Sequence, residues 1–214
     1  MPNIVIAVAR QVWSGGDDIA AELARVLGVQ LLDRQIIEAA AMAVGVSPDT
    51  IMEAERVPSF LERMLEYLGQ RHGGLDPLND FTIEQPTTLT MGTENYRHLI
   101  EDVLRKTAQE TDAVIVGHGG AVVLRDVSYV FKVMFCAPLR MRVQRLQEYE
   151  HLSTEEAERR IREDDKNRLD YFQTYYKVNW LHPALYDLCI NTARLDTTTA
   201  VELIHQALGK AHLE

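Results

Sequence analysis

The stretch that decides the fold is residues 3–28, NIVIAVARQVWSGGDDIAAELARVLG. Its first seven residues are almost all apolar and too few for a helix, which predicts a buried strand over 3–9. A glycine pair follows, and apolar residues then recur at helical spacing as far as Gly28, which predicts a helix over 16–27. A strand that runs through a glycine-bearing turn into a helix is typical of a phosphate-binding loop.

This loop departs from the usual phosphate-loop pattern in its charge. The pattern G-x-x-x-x-G-K-[ST] has a lysine directly after its second glycine and a hydroxyl residue next. Here Gly16 and Asp17 occupy those two positions, and Asp18 follows. Two carboxylates in a first turn favour the helix by a few tenths to about 1 kcal/mol each, but they oppose a phosphate anion. Asp17 could instead hold Mg²⁺, which binds carboxylate oxygens and bridges to phosphates.

The rest of the chain repeats the alternation of strand and helix. Apolar segments at 29–32, 113–117, 129–137 and 186–191 are separated by amphipathic helical segments. Strands of nearly continuous apolar character indicate a parallel sheet that is covered on both faces. We therefore predict an α/β fold with a five-stranded parallel sheet in three α/β/α layers. The first strand should lie in the middle of that sheet, because it has no polar face.

Composition bounds the cellular setting and the partners. The 214 residues carry 32 acidic and 22 basic side chains, a formal charge of −10, which disfavours nucleic acid or an anionic membrane as a partner. No apolar run approaches the roughly 18 residues of a membrane span, so we expect a cytoplasmic protein. Cys136 and Cys189 lie in apolar runs and are predicted to be buried, reduced thiols.

Six motifs follow one another along the chain: ARQVWSGG, LDRQII, VIVGHGG, APLRMRVQRL, DKNRLDYFQTYY and YDLCINTARLD. Their order and wording resemble the cytidylate-kinase-like family of P-loop kinases, whose segments read SRQ-aromatic-GSGG, YDRELI, VIVGRGA, APLEYRIERI, DKRRANYYRYY and YDLCINTSRLG. The resemblance covers nearly the whole chain. It implies one P-loop kinase-like domain over 1–214, with a variable, helical acceptor-side insert at 47–95 and a helical lid at 150–176.

The resemblance also implies roles for individual residues. The residues implied for catalysis are Arg10, Arg162 and Arg168. The residues implied to bind the phosphates are Ser14, Gly15, Gly16 and Asp17, and Asp17 would also hold the metal. Those implied for the acceptor are Asp33, Arg34, His118, Arg142 and Arg145, and Arg159 and Lys166 would line the lid. Two positions depart from the family pattern, since Trp13 replaces a usual glycine and His118 a usual arginine.

Each of these roles has a structural alternative. The basic residues of 153–168 alternate with acidic ones, so this segment could be an exposed helix that pairs with itself. Arg142 and Arg145 could be surface charges, Asp33 a helix cap, and His118 a loop or core histidine. The aromatic residues of LDYFQTYY are interpreted as packing around a hinge rather than as base-stacking groups.

The implied activity is phosphoryl transfer from ATP, with Mg²⁺, to a nucleoside monophosphate or related small acceptor. The alternative is a catalytically silent, nucleotide-binding regulatory module on the same fold, and a homo-oligomer stays open. The missing lysine predicts slow turnover, which Gly16→Lys combined with Asp17→Ser should raise. The lid stretch 163–170 is predicted to become ordered when anions bridge its basic side chains.

Overall fold

The computed structural model describes residues 4–33, 36, 38 and 93–211. The chain divides into two compact units, one formed by Met1–Asp33 with Leu104–Glu214 and the other by Arg34–Val103. Arg34 and nearly all of the insert predicted at 47–95 lie outside the described residues, and the single domain over 1–214 stays a prediction. The strands and the site described below belong to the first unit.

The sheet has five parallel strands, as the apolar segments predicted. They are β1 (Val5–Arg10), β2 (Gln30–Leu32), β3 (Ala113–Val116), β4 (Val130–Cys136) and β5 (Leu188–Asn191). Their order is β2-β3-β1-β4-β5, so β1 is central, and Val5 lies level with Ala113 on one side and with Val130 on the other. The prediction of a central first strand is therefore confirmed.

Helices cover the sheet. They are α1 (Gly16–Leu27), α2 (Thr93–Glu110), α3 (Gly120–Val123), α4 (Leu139–Glu150), α5 (Thr154–Tyr176) and α6 (Thr197–Leu208), with a short 3₁₀ turn at Pro183–Leu185. Buried side chains of α1 and α6, including Ile19, Leu23 and Ile204, share one core cluster with Ile6 and Val8 of β1. None of the helices within 4–33 and 93–211 is long and apolar enough to cross a membrane.

The helix predicted at 153–168 is longer than the sequence suggested. Ser153 caps it by accepting a hydrogen bond from the Glu156 amide at 3.2 Å, as expected of a capping box, but the helix then runs without a break to Tyr176. Its aromatic residues pack together, and the Phe172 ring centroid lies 6.0 Å from that of Trp180. The predicted packing is confirmed, while the hinge is replaced by a continuous helix because this aromatic contact extends the buried face.

The two cysteines are both free thiols, but they differ in exposure. Cys136 at the end of β4 is half-buried rather than buried as predicted. Cys189 is exposed, so the prediction of a buried thiol is wrong there. The physical reason is the topology, since β5 is an edge strand and its apolar run is covered less completely.

Candidate active site at the carboxyl end of the sheet

The predicted phosphate loop, residues 10–16, connects β1 to α1 at the carboxyl end of the central strand. Gly15 caps α1 in the left-handed region at φ 81°, where glycine is favoured, and no side chain caps this helix end. The first-turn amides and the partial positive charge of a 12-residue helix therefore face this loop. Asp17 and Asp18 are exposed in that same turn.

Ser14 and Gly16 are both buried in the phosphate loop. Ser14 is fully buried, and within the described residues its hydroxyl has no hydrogen-bond partner. A Cβ atom on Gly16 would stand 2.8 Å from Cβ of Arg10 and 2.9 Å from Cβ of Phe135. The loop therefore has no room for a lysine at position 16, which argues against the expectation that Gly16→Lys raises turnover.

Arg10, at the β1 end of the phosphate loop, supplies positive charge to it. Its Nε donates a hydrogen bond to Oδ1 of Asp17 at 2.8 Å, and its Nη1 lies 2.7 Å from the place that a Cβ atom on Gly117 would take. The guanidinium thus passes from β1 across the start of α1 to the end of β3. Glycine at 117, with φ 78°, leaves the space that this side chain fills.

Arg168 is the lid residue that reaches the phosphate loop. Its Nη1 donates to the carbonyl oxygen of Arg10 at 2.7 Å, and its guanidinium lies 5.3 Å from the ring centroid of Trp180. Burial lowers the pKa of Arg168, and the nearby charge of Arg10 lowers it further. Two guanidinium groups held this close favour an anion between or beside them.

The other three lid residues lie on the exposed surface of α5. Arg159 pairs with Glu163 at 3.0 Å and Arg162 with Glu158 at 2.6 Å, each one helical turn apart. Lys166 is exposed on the same helix. These pairs match the self-paired surface helix that the sequence left open, and the structure does not bring Arg159, Arg162 or Lys166 to the loop.

Arg142 and Arg145 of α4 hold the phosphate loop from behind. Arg142 is buried, with a two-pronged ion pair to Asp165 at 3.0 and 2.7 Å. Arg145 donates to the carbonyl oxygens of Trp13, at 3.2 Å, and of Ser14. Both guanidinium groups are thus engaged with the protein, and the acceptor contacts that the resemblance implies for them stay a prediction.

Asp33 and His118 meet on the side of the loop toward β2 and β3. His118 Nε2 lies 3.0 Å from Asp33 Oδ1, and the histidine side chain is 10% exposed. Burial raises the pKa of Asp33, but the hydrogen bond to His118 and the charges of Arg10 and His118 bring it below its usual value. Two of the residues predicted for the acceptor are therefore in contact, next to Arg10.

A cavity of about 830 Å³ opens on the opposite side of the loop, toward β4 and β5. We call it the loop cavity, and its lining includes Trp13, Gly15, Asp17, Arg145, Tyr149 and Thr197. Its volume is within the range of pockets that hold small ligands and cofactors. The phosphate loop thus separates the loop cavity from the Asp33–His118 pair. Arg10 lines the cavity, and its charge lowers the pKa of Asp33.

The described residues contain no group of three or more His, Cys, Asp or Glu that could hold a metal ion by themselves. Mg²⁺ commonly needs only one or two carboxylates, because it keeps several waters and binds substrate phosphates. Asp17 fits this role, since its carboxylate lines the loop cavity and is 58% exposed.

Sequence reasoning missed four residues of this site. Trp13 was seen only as a departure from a pattern, and Tyr149, Gly117 and Thr192 were not singled out. Thr192, after β5, donates its hydroxyl to the Ser14 carbonyl at 2.5 Å. For Gly117, the sequence signal was a glycine placed directly between a strand and a helix. Its left-handed φ of 78° shows why glycine is needed there.

Comparisons with known proteins agree with this architecture. A cytidylate kinase from Methanopyrus kandleri is 30% identical over 112 residues, which are 49% of this chain and 58% of that enzyme. A cytidylate kinase from Natronomonas pharaonis is 26% identical over 153 residues, 68% of this chain and 80% of that enzyme. The chain thus spans under two thirds of the first relative's length.

Solved structures share the fold at low identity. An uncharacterized protein from Eubacterium ventriosum superposes with a TM-score of 0.65 at 20% identity, covering 97% of this chain and 99% of that one. Shikimate kinase from Bacteroides thetaiotaomicron gives 0.50 at 15% identity, covering 96% and 98%. The model of the cytidylate kinase-like family matches residues 5–194, so the chain belongs to the cytidylate kinase-like family, whose members and fold support a nucleotide kinase-like role.

Proposed function

We propose that this protein transfers a phosphoryl group from ATP, with Mg²⁺, to a small acceptor, with a nucleoside monophosphate as the first candidate. The observation that carries the proposal is the position of the phosphate loop between two binding regions. The loop cavity lies toward β4 and β5, and the Asp33–His118 pair lies toward β2 and β3. A two-substrate transfer needs such an arrangement, with the phosphates at the loop between the substrates.

The donor occupies the loop cavity in this proposal. Its phosphates lie against Gly15 and the amide end of α1, where backbone N–H groups favour an anion. Asp17 is the residue that would hold Mg²⁺, which supplies positive charge at the phosphate oxygens. Arg145 and Thr192 keep the carbonyl groups of the loop turned away from the phosphates by hydrogen-bonding to them.

Arg10 stabilises the transferring phosphoryl group in this proposal, because it lines the loop cavity and its charge also acts on Asp33. An oxygen of the acceptor forms the new bond to the γ-phosphorus, while the bond to the bridging oxygen breaks and the nucleoside diphosphate leaves. An ionised phosphate acceptor has no proton to lose, so this step needs positive charge rather than a base. Arg168, bonded to the Arg10 carbonyl, adds a second guanidinium beside it.

A hydroxyl acceptor is favoured by one observation. His118 lies 3.0 Å from the Asp33 carboxylate, and an imidazole oriented by a carboxylate can take a proton from a hydroxyl group. A silent nucleotide-binding module is favoured by another. The ion pair between Arg10 and Asp17 partly neutralises the charge on which the transfer depends.

The proposal is tested by following ADP formation from ATP and Mg²⁺ with a panel of acceptors. The panel contains the four common nucleoside monophosphates and a set of hydroxyl acceptors, shikimate and simple sugars among them. Arg10→Ala should lower turnover about 100- to 1,000-fold, the effect of removing one preorganised electrostatic donor. Arg25→Ala is the matched control, because Arg25 lies exposed at the far end of α1. ATP binding without turnover of any acceptor would support the silent module instead.

A further inference from the structure

Trp13 occupies a backbone conformation that aromatic residues rarely adopt. Its φ is 61°, in the left-handed region, where a bulky side chain is strained and glycine is at ease. The family motif has a glycine here, whereas this chain has the largest side chain in a conformation that favours glycine. Strain of this kind persists where the surroundings hold it, and it clusters at binding and active sites. The strained position of Trp13 therefore indicates that its indole ring has a function that glycine, which has no side chain, cannot provide.

The surroundings of the ring show what holds it. Trp13 is half-buried and packs against the apolar cluster of Val143, Leu146, Ala157 and Ile161 between α4 and α5. The ring of Tyr149 lies beside it, with centroids 5.3 Å apart and planes tilted by 47°. Tyr149 itself is 74% exposed, at the last turn of α4. The two rings form an anchored aromatic surface that is open on one side.

This aromatic surface borders the loop cavity together with the phosphate loop. Trp13, Tyr149 and Gly15 all line the cavity, so a ligand whose phosphates lie at Gly15 has its remaining part within reach of the two rings. We infer that Trp13 and Tyr149 form a stacking surface for the nucleobase of the donor nucleotide. This inference rests on the proposed function and adds to it the part of the site that binds the base. Flat heterocycles stack on indole and phenol rings whatever their hydrogen-bonding pattern.

Binding measurements on three variants separate the base from the phosphates. Trp13→Leu keeps an apolar side chain on the cluster but removes the ring, Tyr149→Ala removes the exposed ring, and Trp13→Phe keeps a ring. Calorimetry with Mg²⁺ should show ATP affinity lowered about 5- to 150-fold in Trp13→Leu and Tyr149→Ala, the usual effect of losing one stacked base. Inorganic tripolyphosphate, which has no base, should bind these variants and wild type equally. Trp13→Phe should retain most of the ATP affinity.

Fluorescence gives an independent measurement, because the chain has two tryptophans. ATP should quench the fluorescence of wild type more strongly than that of Trp13→Phe, in which only Trp180, beside Arg168, remains. Tyr129→Ala is the matched control for the affinity measurements on Tyr149→Ala, and it should bind ATP like wild type. Tyr129 precedes β4 at the opposite end of the sheet from the loop cavity. Unchanged ATP affinity in both Trp13→Leu and Tyr149→Ala would overturn the stacking surface while leaving the proposed function intact. Failure of wild type to bind both ATP and tripolyphosphate would overturn the two together.

Discussion

A single methyl group at Gly16 is the sharpest test of how this phosphate loop is built. The Cβ atom of Gly16→Ala would stand 2.8 Å from Cβ of Arg10 and 2.9 Å from both Cβ and Cδ2 of Phe135. Carbon atoms in contact prefer about 3.5–4.0 Å. The Cβ atoms of Arg10 and Phe135 are fixed to adjacent central strands, so they cannot turn away as the end of a side chain would.

The expected cost follows from this overlap. Forcing an extra methyl into a filled space typically costs about 1–3 kcal/mol, and for a chain of this length that corresponds to a fall in Tm of about 2–12 °C. We expect Gly16→Ala also to lower turnover, because relief of the overlap displaces Arg10. Thermal unfolding followed by circular dichroism, together with the ADP assay, measures both effects.

Gly209→Ala is the matched control, since it changes the same residue type where space is available. Gly209 has φ −69°, and its new Cβ would lie 3.6 Å from the nearest atom, the carbonyl oxygen of His205. A compatible Gly→Ala change commonly adds about 0.4–1 kcal/mol of stability. If Gly16→Ala is as stable as Gly209→Ala and turns over like wild type, the steric account of position 16 is refuted.

Three further outcomes are expected. Arg168→Ala should lower turnover about 100-fold or more, because the Arg168 side chain contacts the phosphate loop. Arg162→Ala, on the surface of α5, should leave turnover within twofold of wild type, and equal losses in the two variants would contradict this placement. Asp165→Asn removes the countercharge of a buried guanidinium and should lower the free energy of unfolding in urea by about 3 kcal/mol. Glu158→Gln, in an exposed pair, should lower it by less than about 1 kcal/mol, and similar losses would show that burial does not matter here. ATP affinity should fall in excess chelator, since the carboxylates in the first turn of α1 repel bare triphosphate, and equal calorimetric affinities with and without Mg²⁺ would disprove that repulsion.

The fold could be predicted from the sequence because its signals are local and agree with one another. An apolar strand such as 4–9 keeps its side chains out of water only inside a sheet that is covered on both faces, and the alternation of strands and helices favours parallel pairing. The extent of α5 was harder to predict. The sequence beyond residue 168 is aromatic and β-prone, and only the contact between Phe172 and Trp180 shows why the helix continues.

The sequence predicted a candidate site at the carboxyl ends of the strands, but not which groups each of its side chains contacts. The spacing of Arg142 and Arg145 places them on one face of a helix, but spacing says nothing of what that face meets. Their partners, Asp165 and the carbonyl groups at 13 and 14, come from segments distant in sequence. The same limit applies to Arg162 and Arg168, which look alike in sequence and lie in different surroundings.

The absence of lysine at position 16 has a physical explanation that no single position reveals. The side chains at 10 and 16 compete for one space, since a Cβ atom on residue 16 would lie 2.8 Å from that of residue 10. The usual pattern resolves this competition with glycine first and lysine later, and this chain has arginine first and glycine later. Since a Cβ atom at 16 would also stand 2.9 Å from Phe135, glycine there follows from the residues at 10 and 135 together, and Arg10 brings positive charge to the loop in place of a lysine. Whether such a loop has a positive charge for phosphate therefore depends on positions 10 and 16 together, not on position 16 alone.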